Sequence, residues 1–130
     1  MPSLLDEIRQ FLPLIVRAAE ADAGGVRIGG DNWSLRINTN WRVLHQGVVA
    51  MSPAAVPDIR RAHGLNELVG DALVKVYSQS GHASLDLGAT TQAGRVLEIF
   101  SDFAYGEWLL SIWQEAEVPI LDIEGPVKLE

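Results

Sequence analysis

The chain of 130 residues has no cysteine, which rules out a disulfide framework and a thiolate metal site. It is poor in basic residues, with ten Lys and Arg against seventeen Asp and Glu and a net charge of −7. A protein that neutralises phosphates needs the opposite balance, so nucleic acid is not an expected partner. No apolar run approaches the roughly 18 residues of a membrane span, and no membrane association is expected. Asp6, Glu7 and Arg9 interrupt the first apolar stretch and no cationic segment precedes it, unlike a secretory signal. A cytoplasmic location is the default expectation. There is no Gly-x-Ser-x-Gly elbow, and the glycine-rich stretch from Gly24 to Gly30 lacks the Gly-Lys-Ser/Thr ending that cradles phosphate. His63 with Glu67, and His82 with Asp86, are each four apart, but two ligands without a third do not make a metal site; His45 stands alone. The sequence therefore calls for no metal and no cofactor, and an enzyme is the less favoured class.

What is present suits one ordinary folded domain: 48% apolar and 21% charged residues. The expected class is α+β, an N-terminal amphipathic helix packed on a mainly antiparallel, meander-like sheet. Ser3 and Asp6 form a capping-box variant. Leu4, Leu5, Ile8, Phe11, Leu12, Ile15, Val16 and Ala19 follow at helical spacing, so residues 1–24 read as a helix kinked or broken at Pro13. Residues 26–114 read as sheet. Val26 to Ile28 is a short strand. Trp33, Leu35 and Ile37 alternate with polar residues, and Trp41 to Leu44 returns after Asn38-Thr39-Asn40, which reads as a hairpin. Val48 to Met51, Ala72 to Ser78, Ala83 to Leu87 and Arg95 to Phe100 continue the pattern. Asp58 to Ala62 suggests a helical turn. Residues 107–114 fit a helical face and a strand face equally well; a strand extends the meander. Residues 115–130 form an acidic tail in which Ile120 to Ile123 adds an edge strand. The closing Leu129-Glu130 pair could equally be a remnant of cloning.

The charge is unevenly placed. Residues 1–65 carry seven Arg and six acids, a net of +1, and residues 66–130 carry three basic residues and eleven acids, a net of −8. An acidic half attracts a basic protein and speeds the encounter. Four Trp is a high number for this length, and Trp is favoured at binding hot spots. Trp33 and Trp41 read as packing residues. The candidate binding residues are Glu107, Trp108, Trp113, Glu115, Glu117, Asp122 and Glu124, an aromatic set among carboxylates. Asp86 and Glu98 lie on alternating strands and could approach one another for acid–base work, which leaves a small enzyme or ligand binder as an alternative. A third reading is a self-associating subunit, most simply a homodimer.

Several short strings share a layout: Leu68-Val69-Gly70, Val74-Lys75-Val76, Leu85-Asp86-Leu87, Gly94-Arg95-Val96-Leu97-Glu98-Ile99-Phe100 and Glu107-Trp108, with Trp33 to Ile37 and Trp41-Arg42-Val43 upstream. This layout resembles small bacterial proteins of unknown function that are similar to some immunity proteins of polymorphic toxin systems. The resemblance implies an antiparallel sheet and a protein-binding role of the immunity type; the acidic half makes a basic protein the expected target. Its motifs are apolar and turn residues, so it transfers no functional residue.

Overall fold

A computed structural model describes residues 2–22, 25–52, 65–79, 85–114 and 119–130. The N-terminal helix, α1 (Leu4–Arg9), is six residues long. Ser3 caps it: the Ser3 hydroxyl accepts the Asp6 N–H at 3.1 Å, and the Asp6 carboxylate accepts the Ser3 N–H at 3.2 Å. Pro13 lacks an N–H and disfavours a helical Leu12, so the chain leaves the helix instead of kinking within it. A helix this short does not persist alone. Leu5 and Ile8 are fully buried and hold it on the body.

The long helix expected over residues 1–24 is therefore not formed. Its second half is extended, as β1 (Leu14–Ile15) and β2 (Ala18–Asp22). Leu14 and Val16 point inward while Ile15 and Arg17 point out, the period of a strand. The β-branched Ile15-Val16 pair suits that conformation. At Val16-Arg17 the chain changes sheets. Val16 N–H donates to the Asp71 carbonyl at 2.9 Å, and Arg17 N–H donates to the Gly29 carbonyl at 2.8 Å.

The remaining strands are β3 (Gly25–Gly29), β4 (Trp33–Ile37), β5 (Asn40–His45), β6 (Val48–Met51), β7 (Ala72–Ser78), β8 (Leu87–Thr91), β9 (Arg95–Phe100), β10 (Trp108–Trp113) and β11 (Pro119–Gly125). They form two antiparallel sheets. Sheet A has the order β1-β7-β8-β9-β5-β6 and sheet B the order β11-β10-β4-β3-β2. The coarse expectation of antiparallel sheet with one N-terminal helix holds. The arrangement is two sheets facing one core, not a single meander under a helix. Among the described residues, no helix is long and apolar enough to cross a membrane.

The sheets share one cluster of buried residues. Across sheet B, Ala19, Ile28, Leu35, Leu110 and Ile123 lie in register on five strands and face inward. Across sheet A, Met51, Val43, Leu97, Ala89 and Val76 do the same. Alternation gives each strand one such face.

Trp33 and Trp41 do not form a hairpin. β4 pairs with β3 and β10 in sheet B, and β5 pairs with β6 and β9 in sheet A, so Asn38-Thr39 is a corner between sheets. Residues 108–113 are a strand, but this strand belongs to sheet B and does not extend the β7–β8–β9 meander. β8 begins at Leu87, where the expected Ala83–Leu87 strand was to end; residues 80–84 and the helical turn expected at 58–62 lie outside the described residues. Leu129, which read as a possible remnant, is fully buried, and its carbonyl accepts the Leu5 N–H at 3.1 Å.

Two indoles tie the sheets together. Trp33, on β4, donates its Nε1–H to the Ile15 carbonyl on β1 at 2.9 Å. Trp108, on β10, donates to the Asp86 carboxylate, just before β8, at 3.1 Å. The Trp108 ring lies where a Cβ on Gly125 would stand. Gly125→Ala should therefore lower stability by about 3 kcal/mol, at the upper end for an overpacked core. Urea unfolding monitored by tryptophan fluorescence checks this. A loss under about 0.5 kcal/mol, the level of an ordinary surface change, would show that the indole is not tightly seated.

Candidate protein-binding corner

The segment 101–107 links β9 of sheet A to β10 of sheet B. Polar groups hold it from below. Asp86 accepts the Ser101 N–H at 2.9 Å, the Ser101 hydroxyl and the Trp108 indole N–H. Glu107, 8% exposed, accepts the Asp102 N–H at 3.2 Å. Thr39, in the corner between β4 and β5, donates its hydroxyl to the Phe100 carbonyl at 3.0 Å. The backbone is bound too: Asn38 N–H donates to the Glu107 carbonyl at 2.8 Å, and Glu107 N–H to the Gly125 carbonyl at 2.9 Å.

On this base stand two aromatic side chains. Phe103 is 59% exposed and Tyr105 70% exposed. Their rings meet edge to face, with centroids 5.1 Å apart and planes at 70°, an attractive geometry for two π-systems. Asp102 is exposed beside them. Glu124, exposed on β11, reaches Gly106: its Oε1 lies 3.7 Å from where a Cβ on that glycine would be. The corner thus presents aromatic area with two exposed carboxylates, Asp102 and Glu124, close by.

Burial pushes the Glu107 carboxyl above the usual range, and the neighbouring Asp102 carboxyl pushes the same way, against the N–H groups of Asp102 and Phe103. Asp71 is the opposite case. Burial pushes it up, but the Thr91 hydroxyl, the Ala72 and Ala93 N–H groups and the Arg95 guanidinium outweigh that and hold it below the usual range. Arg95 Nη1 donates to Asp71 at 2.9 Å, and this network closes the end of the β7–β8–β9 meander.

The residues read from the sequence as one binding site are distributed over two places. Trp108 is fully buried and Glu107 nearly so, so neither offers its side chain to a partner; they shape the corner from inside. The alternation of β10 turns Trp108, Leu110 and Ile112 inward, which is why Trp108 could not stay on the surface. Glu124 belongs to the corner. Trp113 and Asp122 lie toward the opposite end of β10 and β11, around a separate depression. Glu115 and Glu117 lie outside the described residues. Asp86 and Glu98 are engaged separately: Asp86 holds Ser101 and Trp108, while Glu98 binds Arg42 and accepts the Gln79 amide at 3.1 Å. Among the described residues, no three His, Asp or Glu side chains gather as metal ligands. Sequence reasoning missed Phe103 and Tyr105. Their signal was two aromatics in a short stretch without period, Ser101-Asp102-Phe103-Ala104-Tyr105-Gly106, where neither strand nor helix would bury them.

Compared with protein-family models, curated proteins and solved structures, the chain matches none.

The two shifted carboxyls act on stability in opposite directions. Folded Asp71 loses its proton more readily than the unfolded chain, so its contribution is complete above the ordinary carboxylate range and fades as pH falls through its lowered value. Folded Glu107 holds its proton longer, so its contribution is complete below the ordinary range and is lost as pH rises through its raised value. Asp71→Asn should cost about 2 kcal/mol at neutral pH, less than a fully buried pair because Arg95 is partly exposed. The deficit should shrink on acidification. Glu107→Gln should gain stability relative to wild type as pH rises from the ordinary carboxylate range through the raised value of folded Glu107. Denaturant curves across this range check both, and parallel pH profiles for wild type and variants would contradict them.

Proposed function

We propose that this chain is a protein-binding module that docks its acidic, aromatic corner on a basic protein surface, in the manner of an immunity-type inhibitor. The observation that carries this reading is the Phe103–Tyr105 pair, largely exposed yet held on a base tied to both sheets. Exposed aromatics normally lose conformational freedom on binding; here the hydrogen-bonded backbone has already restricted the loop, which lowers that cost. Asp102 and Glu124 supply the rim charge that steers a basic partner. Aromatic residues surrounded by a polar rim are the usual anchors of an interface.

A second reading, self-association, rests on β6. This edge strand of sheet A pairs only with β5 among the described residues, and Val48 and Val49 are 67% and 46% exposed. An apolar sheet edge is a template for pairing with another chain. A dimeric mass in light scattering that becomes monomeric on Val49→Lys would favour it.

The principal test is capture from lysate of the source organism on the immobilised chain, repeated with Phe103→Ala/Tyr105→Ala and at rising salt. A basic protein should be retained at about 50 mM salt and released well below about 1 M. The double variant should weaken retention at least about 30-fold, as expected for truncated hot-spot aromatics worth about 2 kcal/mol. Retention unaffected by the variant and by salt would overturn the reading.

A further inference from the structure

A second place on the molecule is built differently from the corner. On the outer face of sheet B, Ser34 on β4 and Ser111 on β10 lie directly opposite one another, and Asp122 on β11 is opposite Ser111. Ser34 and Ser111 lie at the centre; Arg27 of β3 stands on one side, Pro119 and Asp122 of β11 on the other, and Ile112 and Trp113 of β10 close one end. The result is an open depression of about 350 Å³ with a hydroxyl floor. Its walls stand on β3 and β11, three strand spacings or about 14 Å apart. Trp113 is half-buried, and alternation on β10 points it outward with Ser111. Its backbone is fixed by a bond from its N–H to the Asn32 carbonyl at 3.0 Å. A further depression of about 430 Å³ adjoins Trp113, lined among others by Asn32, Gln114 and Ile120.

We propose that this depression binds a neutral saccharide. The lining supplies the groups that such a ligand needs. A sugar ring has one or both faces of C–H groups, which pack on an indole, and a perimeter of hydroxyls that both donate and accept. Ser34 and Ser111 can do either, Asp122 accepts, and Arg27 donates. One guanidinium and one carboxylate border the site, so its lining carries no net charge and gives no one-signed field to select an ion. An apolar ligand would strip water from two hydroxyls and two charged groups without replacing their hydrogen bonds. The amide side chains of Asn32 and Gln114 in the adjoining depression extend the same chemistry, so a saccharide of more than one ring continues past Trp113. This site is independent of the protein-binding reading, because it shares none of the aromatic residues of the corner.

Tryptophan fluorescence tests the proposal directly. Trp33, Trp41 and Trp108 are 2%, 3% and 0% exposed, so acrylamide quenching reports chiefly on Trp113. The full chain is titrated with glucose, galactose, N-acetylglucosamine and their short oligomers. At least one should protect Trp113 from quenching, with a Kd on the order of 1 mM. Ser111→Gln fills the floor from the solvent side, and circular dichroism confirms that it remains folded. It should weaken protection at least tenfold, and Phe103→Ala/Tyr105→Ala should leave protection unchanged. The proposal is overturned if no saccharide protects up to about 100 mM, if Ser111→Gln protects as wild type does, or if tetralysine protects where the saccharides do not.

Discussion

The indole of Trp108 is the point on which the rest of this molecule turns. Its ring is fully buried and lies against Gly125, which couples β10 to the edge strand β11. Its N–H reaches the Asp86 carboxylate at the entrance to β8, which belongs to the other sheet. The same carboxylate holds Ser101 at the exit of β9. One side chain and one acid therefore join both sheets and the segment between them. A buried indole N–H needs an acceptor, and a half-buried carboxylate needs donors; each satisfies the other. At the opposite end of β4, Trp33 does the corresponding work by donating to Ile15 on β1.

From that seat follows the character of the corner. Residues 101–107 are bonded at both ends, so Phe103 and Tyr105 stand on a short, fixed segment. The carboxylates around them have different duties. Asp86 and Glu107 are turned inward and engage the backbone, while Asp102 and Glu124 face solvent and set the local field. The excess of acid in residues 66–130 is thus only partly a surface property. Asp71, Asp86, Glu98 and Glu107 all bind groups of the fold. The outer face of sheet B differs again, since Arg27 and Asp122 stand on opposite sides of a serine floor.

The strands were largely legible because period-two alternation is a local signal. Trp33 to Ile37, Trp41 to Val43 and Arg95 to Ile99 show it plainly. Which sheet each strand joins was not legible. Asn38-Thr39 has the composition of a hairpin turn yet makes a corner, because pairing with β10 and β9 decides between them. The first helix is shorter than its apolar pattern suggests, since residues 12, 15, 16 and 19 fit helical spacing while 14 and 16 also fit a strand. Pro13 decided it. The candidate site was half legible. Counting acids and tryptophans found Glu107, Trp108, Trp113, Asp122 and Glu124, but composition cannot say which face a residue takes. Trp108 went inside, and the exposed aromatics came from a stretch with no periodicity.

The Asp86–Trp108 contact organises the corner. Amide hydrogen exchange on Asp86→Ala tests it most directly. Protection should fall together at Ser101, Asp102 and Phe103, and Trp108 should become open to iodide quenching, while β3 and β4 keep their protection. If exchange rises only in the turn around residue 86, and residues 101–103 stay as protected as in wild type, the corner is held by other forces and not by this contact.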